Sequence, residues 1–333
     1  MPVILGIESS CDETSAAVCA DGAMLSNIIA NQTIHEAYGG VVPELASRVH
    51  QQNIIPAVQQ AISNAKIRKN DIDAVAFTRG PGLLGSLLVG VSFAKAFALA
   101  NNLPLIEVNH MQAHILAHFI DEPKPSFPFL CLTVSGGHTQ IVLVKDYFDM
   151  EVIGHTQDDA AGEAMDKTSK ILGLPYPGGP LIDKHARLGN PDAFQFPEPQ
   201  IPGYNFSFSG LKTAILYFIQ NNEAKNAAFV KDNLADICAS VEKRIVTILL
   251  NKLTKAAKAY GIKDVALAGG VSANTGLRQG LLDVGAKYHW NTFIPKMEYC
   301  TDNAAMIAIA GYHKYLKGDF TDQHVAPLAR MPF

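Results

Sequence analysis

The 333-residue chain lacks the features that identify secreted, membrane-spanning or disulfide-stabilised proteins. Its five cysteines are odd in number and widely spaced, and they form no CxxC pair, which is typical of reduced thiols and argues against a cysteine zinc site. The sequence shows no basic segment followed by an apolar run and a cleavage site, and no unbroken apolar stretch of about 18 residues. We therefore expect a cytoplasmic protein that does not cross a membrane.

An excess of positive charge is also missing. The 27 lysine and arginine residues are outnumbered by 31 aspartate and glutamate residues, giving a net charge of -4, so the protein as a whole does not attract nucleic acid. Short basic clusters at residues 66–69 and 184–187 could touch phosphates, although solvated surface is the simpler explanation. With 48% hydrophobic and 17% charged residues, the chain is globular, and its length predicts two domains.

A repeated order of predicted elements is the main structural signal. Each half begins with a β-hairpin around a polar turn, continues with a third strand and a helix, and later has a buried strand that runs into glycines. The first copy uses residues 3–7, 16–19, 24–30, 44–65 and 73–78, and the second uses residues 129–134, 141–144, 150–155, 162–172 and 264–268. The order predicts two similar α/β lobes that face each other across a cleft.

We place the N-terminal lobe at residues 1–125 and the C-terminal lobe at residues 126–333. The second lobe is expected to carry an insertion around residues 175–230. The last helix either stays with the C-terminal lobe or packs back on the N-terminal lobe.

Glycine turns within the hairpins indicate phosphate binding. In a dinucleotide-binding fold a glycine turn joins the first strand to a helix, whereas here residues 135–139 join two antiparallel strands. Successive backbone N–H groups beside glycine can hold a polyphosphate, and a plain tight hairpin is the alternative. Residues 268–274 combine a strand end, two glycines and a polar helix start, which suits an adenosine moiety or a simple helix cap.

His110 and His114 are four residues apart in a predicted helix and therefore project from one face. This spacing is found in metal sites, and it also arises by chance in a chain with 11 histidines. Met111 follows the first histidine where zinc metalloproteases have glutamate, so the water-activating base of that mechanism is missing. The pattern favours metal binding and disfavours proteolysis by that route.

Specific sequence blocks, spread nearly from end to end, carry a resemblance to a known family. They lie at residues 6–14 (GIESSCDET), 39–48 (GGVVPELASR), 80–83, 110–114, 134–139 (VSGGHT), 158–167, 176–180, 207–212 (SFSGLK) and 300–303. The chain resembles the TsaD family of tRNA N6-adenosine threonylcarbamoyltransferases, once described as glycoproteases. The resemblance implies an α/β actin-like ATPase (ASKHA) fold, in agreement with the duplication, with an ATP- or AMP-type nucleotide in the cleft between the lobes.

The resemblance also implies the site residues. The family's metal ligands carry over onto His110, His114 and Asp302, although Asp302 could instead cap the following helix. Two histidines and one carboxylate suit one Fe(II) or Zn(II) ion per subunit, and iron is the metal usually described for the family. Asp12 and Glu13 in the first hairpin are hypothetical general bases that the sequence cannot rank.

For the nucleotide-like substrate, the resemblance points to a second group of residues. Two aspartates in it suit ribose hydroxyls, and its glycines allow close approach of the backbone. The group is Thr133, Val134, Ser135, Gly136, Gly137, Asp166, Gly179, Asp183 and Asn274.

The implied reaction transfers a threonylcarbamoyl group from threonylcarbamoyl-AMP to N6 of the adenosine next to the anticodon. The tRNAs concerned read codons that begin with A, and AMP is released. Relatives work with an inactive paralogue (TsaB-like) and a small ATPase (TsaE-like), and the lack of basic excess fits shared tRNA binding. A small-molecule kinase, a metallopeptidase and a nonenzymatic ATP-driven scaffold are the alternatives; histidine ligands argue against the kinase, because Mg²⁺ prefers oxygen.

Overall fold

The computed structural model describes residues 1–333, apart from the side chain of Thr33. The chain forms two compact units. Unit 1 comprises Met1–Lys124 and Pro295–Phe333, and unit 2 comprises Pro125–Ile294. The carboxyl-terminal segment thus belongs to the same unit as the amino-terminal residues, and our division into lobes at residue 125 stays a prediction.

Unit 1 contains a five-stranded sheet in the order β3-β2-β1-β4-β5. β1 pairs antiparallel with β2 and parallel with β4, and nearly every residue of these strands is buried, as expected for a sheet covered on both faces. The strands are β1 Val3–Glu8, β2 Thr14–Ala20, β3 Ala23–Ala30, β4 Ala74–Gly80 and β5 Leu105–Asn109. The helices of this unit are α1 Pro43–Asn64, α2 Leu84–Asn101, α3 His110–Leu116 and α9 Ala304–Lys317, with short 3₁₀ turns between them.

Unit 2 repeats this topology, with its five-stranded sheet in the order β10-β9-β6-β7-β8. Its first strand again pairs antiparallel with the second and parallel with the fourth in chain order. The strands are β6 Phe129–Val134, β7 Thr139–Asp146, β8 Asp149–His155, β9 Asp264–Ala268 and β10 Asn291–Phe293. The helices are α4 Ala161–Ile171, α5 Gly178–Ala186, α6 Ser209–Glu223, α7 Phe229–Tyr260 and α8 Thr275–Tyr288. The duplication predicted from the order of elements is confirmed.

The last helix, α9, is held tightly against β1 within unit 1. A Cβ atom on Gly6 would lie 2.6 Å from the carbonyl oxygen of Ala304 and 2.7 Å from the backbone nitrogen of Ala308. Glycine on the strand therefore allows strand and helix backbones to touch. This contact fixes the start of α9, and with it the segment that precedes the helix.

Helix α2 is long and apolar enough to cross a membrane by length and composition alone. Its 18 residues have a mean hydropathy of 1.5, and it is the one such helix in the part of the chain that the structure describes. A third of it is buried, including Val91 and Ala94, which belong to the core of unit 1. A core helix of a globular protein passes the same test, so this helix is weak evidence for a membrane span.

Candidate functional site

The first group of candidate residues lies on α3, which starts directly after β5 in unit 1. Asn109 caps the helix, because its Oδ1 accepts hydrogen bonds from the N–H groups of Met111 and Gln112 at 2.9 and 3.2 Å. His110 and His114 are buried, and their ring centroids are 4.7 Å apart. The structure therefore contains the histidine pair that the spacing predicts.

Asp302 joins this pair from the segment before α9. Its Oδ1 lies 3.4 Å from Nε2 of His110 and 3.1 Å from Nε2 of His114, and one potential ligand atom of each residue lies within 4.8 Å of the others. The helix cap considered for Asp302 is instead Asn303, whose Oδ1 accepts from the Met306 N–H at 3.1 Å. Two imidazoles and a carboxylate fit a zinc or Fe(II) ion and leave coordination positions open.

Charge is balanced inside this buried cluster. Burial would raise the pKa of Asp302, but His110 and His114 outweigh it and hold that pKa well below its usual range. Burial would lower the pKa of His110, but Asp302 and Glu8 raise it well above 6.5. An imidazolium thus compensates the carboxylates in the metal-free protein, and a divalent cation would replace its proton.

Asp12 and Glu13, the predicted general bases, lie in the turn between β1 and β2. Burial raises the pKa of Glu13 to about 9, and the charges of Asp302 and Asp12 act in the same direction. Near neutral pH and without a cation nearby, Glu13 therefore holds a proton. In that state it can donate a hydrogen bond but cannot accept a proton.

Most of the second group of candidate residues lies at or just after the carboxyl ends of two parallel strands in unit 2, and the other members lie on α4 and α5. β6 and β9 pair so that Thr133 lies opposite Ala268, and both strands run into loops that contain glycine. In the first loop, Ser135 Oγ accepts hydrogen bonds from the N–H groups of Gly137 and His138 at 3.3 and 3.0 Å. Carboxyl ends of parallel strands are the usual ligand-binding edge of an α/β sheet.

Four glycines in this region lie where neither steric crowding nor backbone conformation requires glycine. A Cβ atom on any of them would meet no atom within 4 Å, and none has a left-handed φ; they are Gly136, Gly137, Gly179 and Gly270. Neither packing nor backbone conformation therefore explains the missing side chains. Open space above the backbone is what close approach of a phosphate or ribose requires, so these positions fit a nucleotide.

The carboxylates predicted to bind ribose also have structural partners. Asp166 Oδ1 accepts hydrogen bonds from the N–H groups of residues 178 and 179 at 2.8 and 3.0 Å, at the start of α5. Asp183 Oδ2 accepts from Arg187 Nη2 at 2.7 Å, and its Oδ1 accepts from the Thr275 hydroxyl. These contacts hold both carboxylates in defined positions on α4 and α5.

Asn274 is fixed in the same way at the start of α8. Its Oδ1 accepts from the Leu277 N–H at 2.8 Å as the helix cap, and its Nδ2 donates to Glu242 Oε1 at 2.5 Å. Burial raises the pKa of Glu242 to about 7; the hydrogen bond from Asn274 opposes this shift, and the Asp183 charge adds to it. Asn274 therefore connects the loop after β9 to a buried carboxyl group on α7.

Sequence reasoning missed Glu242, although a signal was present. Ile237, Cys238, Val241 and Ile245 are buried around it on α7. A single charged residue within the apolar face of a helix is an exception to helical patterning, and such an exception marks a residue with a specific partner.

A family model and close relatives match the chain over most of its length. The model described as "TsaD: tRNA N6-adenosine threonylcarbamoyltransferase" matches residues 23–309. A protein of that name from Christiangramia forsetii is 64% identical over 99% of this chain and 98% of its own length. Another from Porphyromonas gingivalis is 60% identical over 99% of this chain and 98% of its own length.

Solved structures with low sequence identity show the fold. Full-length HypF aligns with a TM-score of 0.61 and 14% identity, over 96% of this chain and 47% of HypF. Component A of the Acidaminococcus fermentans (R)-2-hydroxyglutaryl-CoA dehydratase gives 0.54 and 14%, over 95% of this chain and 100% of that one. The ROK hexokinase of Thermus thermophilus gives 0.50 and 17%, with the same coverage. The predicted actin-like ATPase fold is confirmed.

The cluster on α3 predicts stoichiometric metal binding. Protein purified without oxygen and stripped of metal should bind one Fe²⁺ or Zn²⁺ ion per chain. Asp302→Asn keeps the side-chain shape but removes the anionic ligand, so it should weaken binding by more than about a hundredfold, since outer-sphere partners alone contribute ten- to a hundredfold. Competition with a chromophoric chelator measures this. His324→Ala, an exposed histidine of the same unit, serves as the control and should bind like wild type.

Glu242 predicts a pH-dependent stability. Its folded pKa of about 7 exceeds the ordinary 4.5, so the contribution of Glu242 to the stability of the protein is largest below pH 4.5, declines as the pH rises towards 7 and then levels off. Glu242→Gln keeps an acceptor for Asn274 and should be more stable than wild type at about pH 8, by at most about 3 kcal/mol, and equally stable at about pH 4. Urea unfolding measures both. Glu223→Gln, exposed on α6, should change neither value, and an identical pH profile in Glu242→Gln would contradict the assignment.

Proposed function

We propose that this chain uses two separate sets of residues for its reaction. The chain belongs to the TsaD family of tRNA N6-adenosine threonylcarbamoyltransferases. The enzyme forms threonylcarbamoyladenosine in tRNA. In our proposal, residues of unit 2 bind the AMP portion of threonylcarbamoyl-AMP, and residues of unit 1 hold a divalent metal. The observation that carries the proposal is the convergence of His110, His114 and Asp302 on α3 and the start of α9.

The metal ligands in this proposal are His110 Nε2, His114 Nε2 and an oxygen of Asp302. Their chemistry suits Fe(II), which we favour from the family resemblance, and Zn(II) equally. A bound divalent ion supplies Lewis-acid polarisation of an acyl or phosphoryl oxygen. The protein contributes the rigid frame, because Asn109 and Asn303 cap the helices on either side of the ligands.

The adenylate site in the proposal is the carboxyl edge of β6 and β9. The backbone turn formed by Thr133 to Gly137 approaches the phosphate, and Asp166 and Asp183 accept hydrogen bonds from ribose hydroxyls. Gly179 leaves space for the ribose, and Asn274 holds the loop against which the adenosine lies. The open space above Gly136, Gly137 and Gly179 supports this arrangement.

The proton of the attacking tRNA amine needs an acceptor. The N6 amine is a poor nucleophile, so a base must remove its proton during transfer. We assign this role to one of the two carboxyl groups in the turn between β1 and β2, Asp12 or Glu13. In the metal-free protein the raised pKa of Glu13, about 9, keeps that residue protonated, and a bound cation would favour its ionised form.

Partner proteins and cellular location form the remaining part of the proposal. A net charge of -4 gives the chain little attraction for tRNA, so an inactive TsaB-like paralogue and a TsaE-like ATPase are expected to contribute to tRNA binding. We propose that the reaction takes place in the cytoplasm. A kinase or a metallopeptidase is not favoured, because the histidine ligands suit Mg²⁺ poorly and Met111 replaces the glutamate of zinc peptidases.

The decisive experiment follows the label from substrate to tRNA. Protein with its TsaB-like and TsaE-like partners should transfer label from threonylcarbamoyl-AMP to tRNA and release AMP, as nucleoside analysis of digested tRNA would show. His110→Ala should retain adenylate binding, because the proposed phosphate and ribose contacts lie on other segments, and should lose transfer. Label that stays in the adenylate with every partner combination would refute the proposal.

Gly137→Val tests the adenylate site separately. The position has no left-handed φ and no neighbour within 4 Å, so the variant should fold normally, while its branched side chain blocks approach of the phosphate. Calorimetry should show adenylate affinity lowered by roughly a hundredfold or more, equivalent to about 2.7 kcal/mol, with metal binding unchanged. Gly137→Ala should show a smaller loss, and unaltered affinity in both variants would remove this loop from the site.

A further inference from the structure

Glu8 is a buried carboxylate to which the reaction described above assigns no role. It is the last residue of β1, and its side chain is 0% exposed. Oε1 accepts a hydrogen bond from the Ser10 N–H at 2.5 Å, and Oε2 accepts one from the Thr78 hydroxyl at 2.5 Å. Two donors from different parts of unit 1 therefore hold this carboxylate in a single orientation.

Oε2 of Glu8 also lies 3.1 Å from Nδ1 of His110. A carboxylate can only accept, so this contact requires the proton to be on Nδ1 of His110. The second ring nitrogen, Nε2, is then available as a metal ligand on the side facing Asp302. A carboxylate behind a metal-binding histidine fixes the tautomer and orientation of the ring and makes the histidine a stronger ligand.

A second group lies near the same nitrogen. The Ser10 hydroxyl is 3.2 Å from Nδ1 of His110, but a hydroxyl can donate or accept and so specifies neither tautomer. The other histidine has no comparable support, because His114 Nδ1 is buried without a hydrogen-bond partner among the described residues. The two candidate ligands therefore differ in how firmly the protein sets their tautomers.

We propose that Glu8 is a positioning residue for the metal site: it accepts the Nδ1–H of His110 and so presents Nε2 to the ion, while Thr78 and the Ser10 backbone hold the carboxylate in place. The inference rests on the metal site of the proposed function. A purely structural Glu8, linking β1 to β4 through Thr78, would contribute to folding stability and would not affect His110 in a folded protein.

Zinc binding by the metal-free full-length protein tests the inference. Glu8→Gln keeps the size of the side chain, but its amide oxygen is a weaker acceptor than a carboxylate. Its NH₂ group cannot accept a hydrogen bond, and it faces either the Ser10 N–H or the donors of His110 and Thr78. Zinc affinity in a chelator competition should fall about ten- to a hundredfold. Ser10→Ala keeps the backbone N–H that Glu8 uses and should change zinc affinity less than about threefold, within the weaker end of hydrogen-bond effects.

Nitrogen-15 NMR of labelled histidines supplies a readout that a structural role would not move. In the zinc-bound wild type, His110 should show a protonated Nδ1 and a metal-bound Nε2. In zinc-bound Glu8→Gln the His110 Nδ1 signal should shift or broaden because a carboxylate no longer accepts its proton, while the His114 signals stay in place. Wild-type zinc affinity together with unchanged His110 signals in Glu8→Gln would overturn the inference, as would a larger loss in Ser10→Ala.

Two more variants, Thr78→Val and His114→Ala, distinguish failure of the Glu8 role from failure of the metal site. If Glu8→Gln does not fold, Thr78→Val provides the test, because it removes one donor to the Glu8 carboxylate and keeps the charge of that carboxylate. Zinc affinity of Thr78→Val should fall about three- to tenfold, by the cost of one lost hydrogen bond. Wild-type zinc affinity in Thr78→Val would overturn the inference. If the wild type binds no zinc, the metal site and the inference fail together. If His114→Ala loses zinc while Glu8→Gln does not, the metal site stands and only the role of Glu8 fails.

Discussion

The mostly buried carboxylate of Asp302, whose side chain is 22% exposed, imposes the main constraint on unit 1. It lies 3.1 Å from His114 although 188 positions separate the two residues in the chain. A buried charge without a partner costs several kcal/mol, so the segment Pro295–Phe333 must return to the sheet formed by the first residues. Gly6 makes that return possible, because its missing side chain lets α9 touch β1.

The two units share one topology but carry different chemistry at their strand ends. In unit 1 the strands lead to charged side chains and candidate metal ligands, including Glu8, Asp12 and His110. In unit 2 the equivalent edge carries glycines with open space above them, such as Gly136 and Gly179. A duplicated frame thus provides a place for side-chain chemistry in one copy and for backbone contacts in the other, which is how one fold supports different sites.

Polar residues of the unit 2 edge are bound to the fold before any ligand arrives. Asp166 holds the start of α5, Asp183 is tied to Arg187, and Asn274 caps α8 while contacting Glu242. Side chains already held in place lose little conformational freedom when they bind a ligand, which favours affinity. Glu242, which accepts the hydrogen bond from Asn274, is itself buried, and this burial raises its pKa to about 7.

Much of the fold and of the metal cluster could be predicted from the sequence alone. The period of apolar residues and the repeated order of elements determined the duplicated α/β architecture, because those patterns are local. The i, i+4 spacing of His110 and His114 placed both on one helical face for the same reason, and the family resemblance supplied Asp302. The cap of α9 is a local contact, and here the structure chose Asn303 where the sequence also allowed Asp302. Tertiary structure alone decided that Glu242 supports Asn274 and that Glu8 lies behind His110. Both depend on contacts between residues far apart in the chain, and the short-range patterns of a sequence carry no record of such distances.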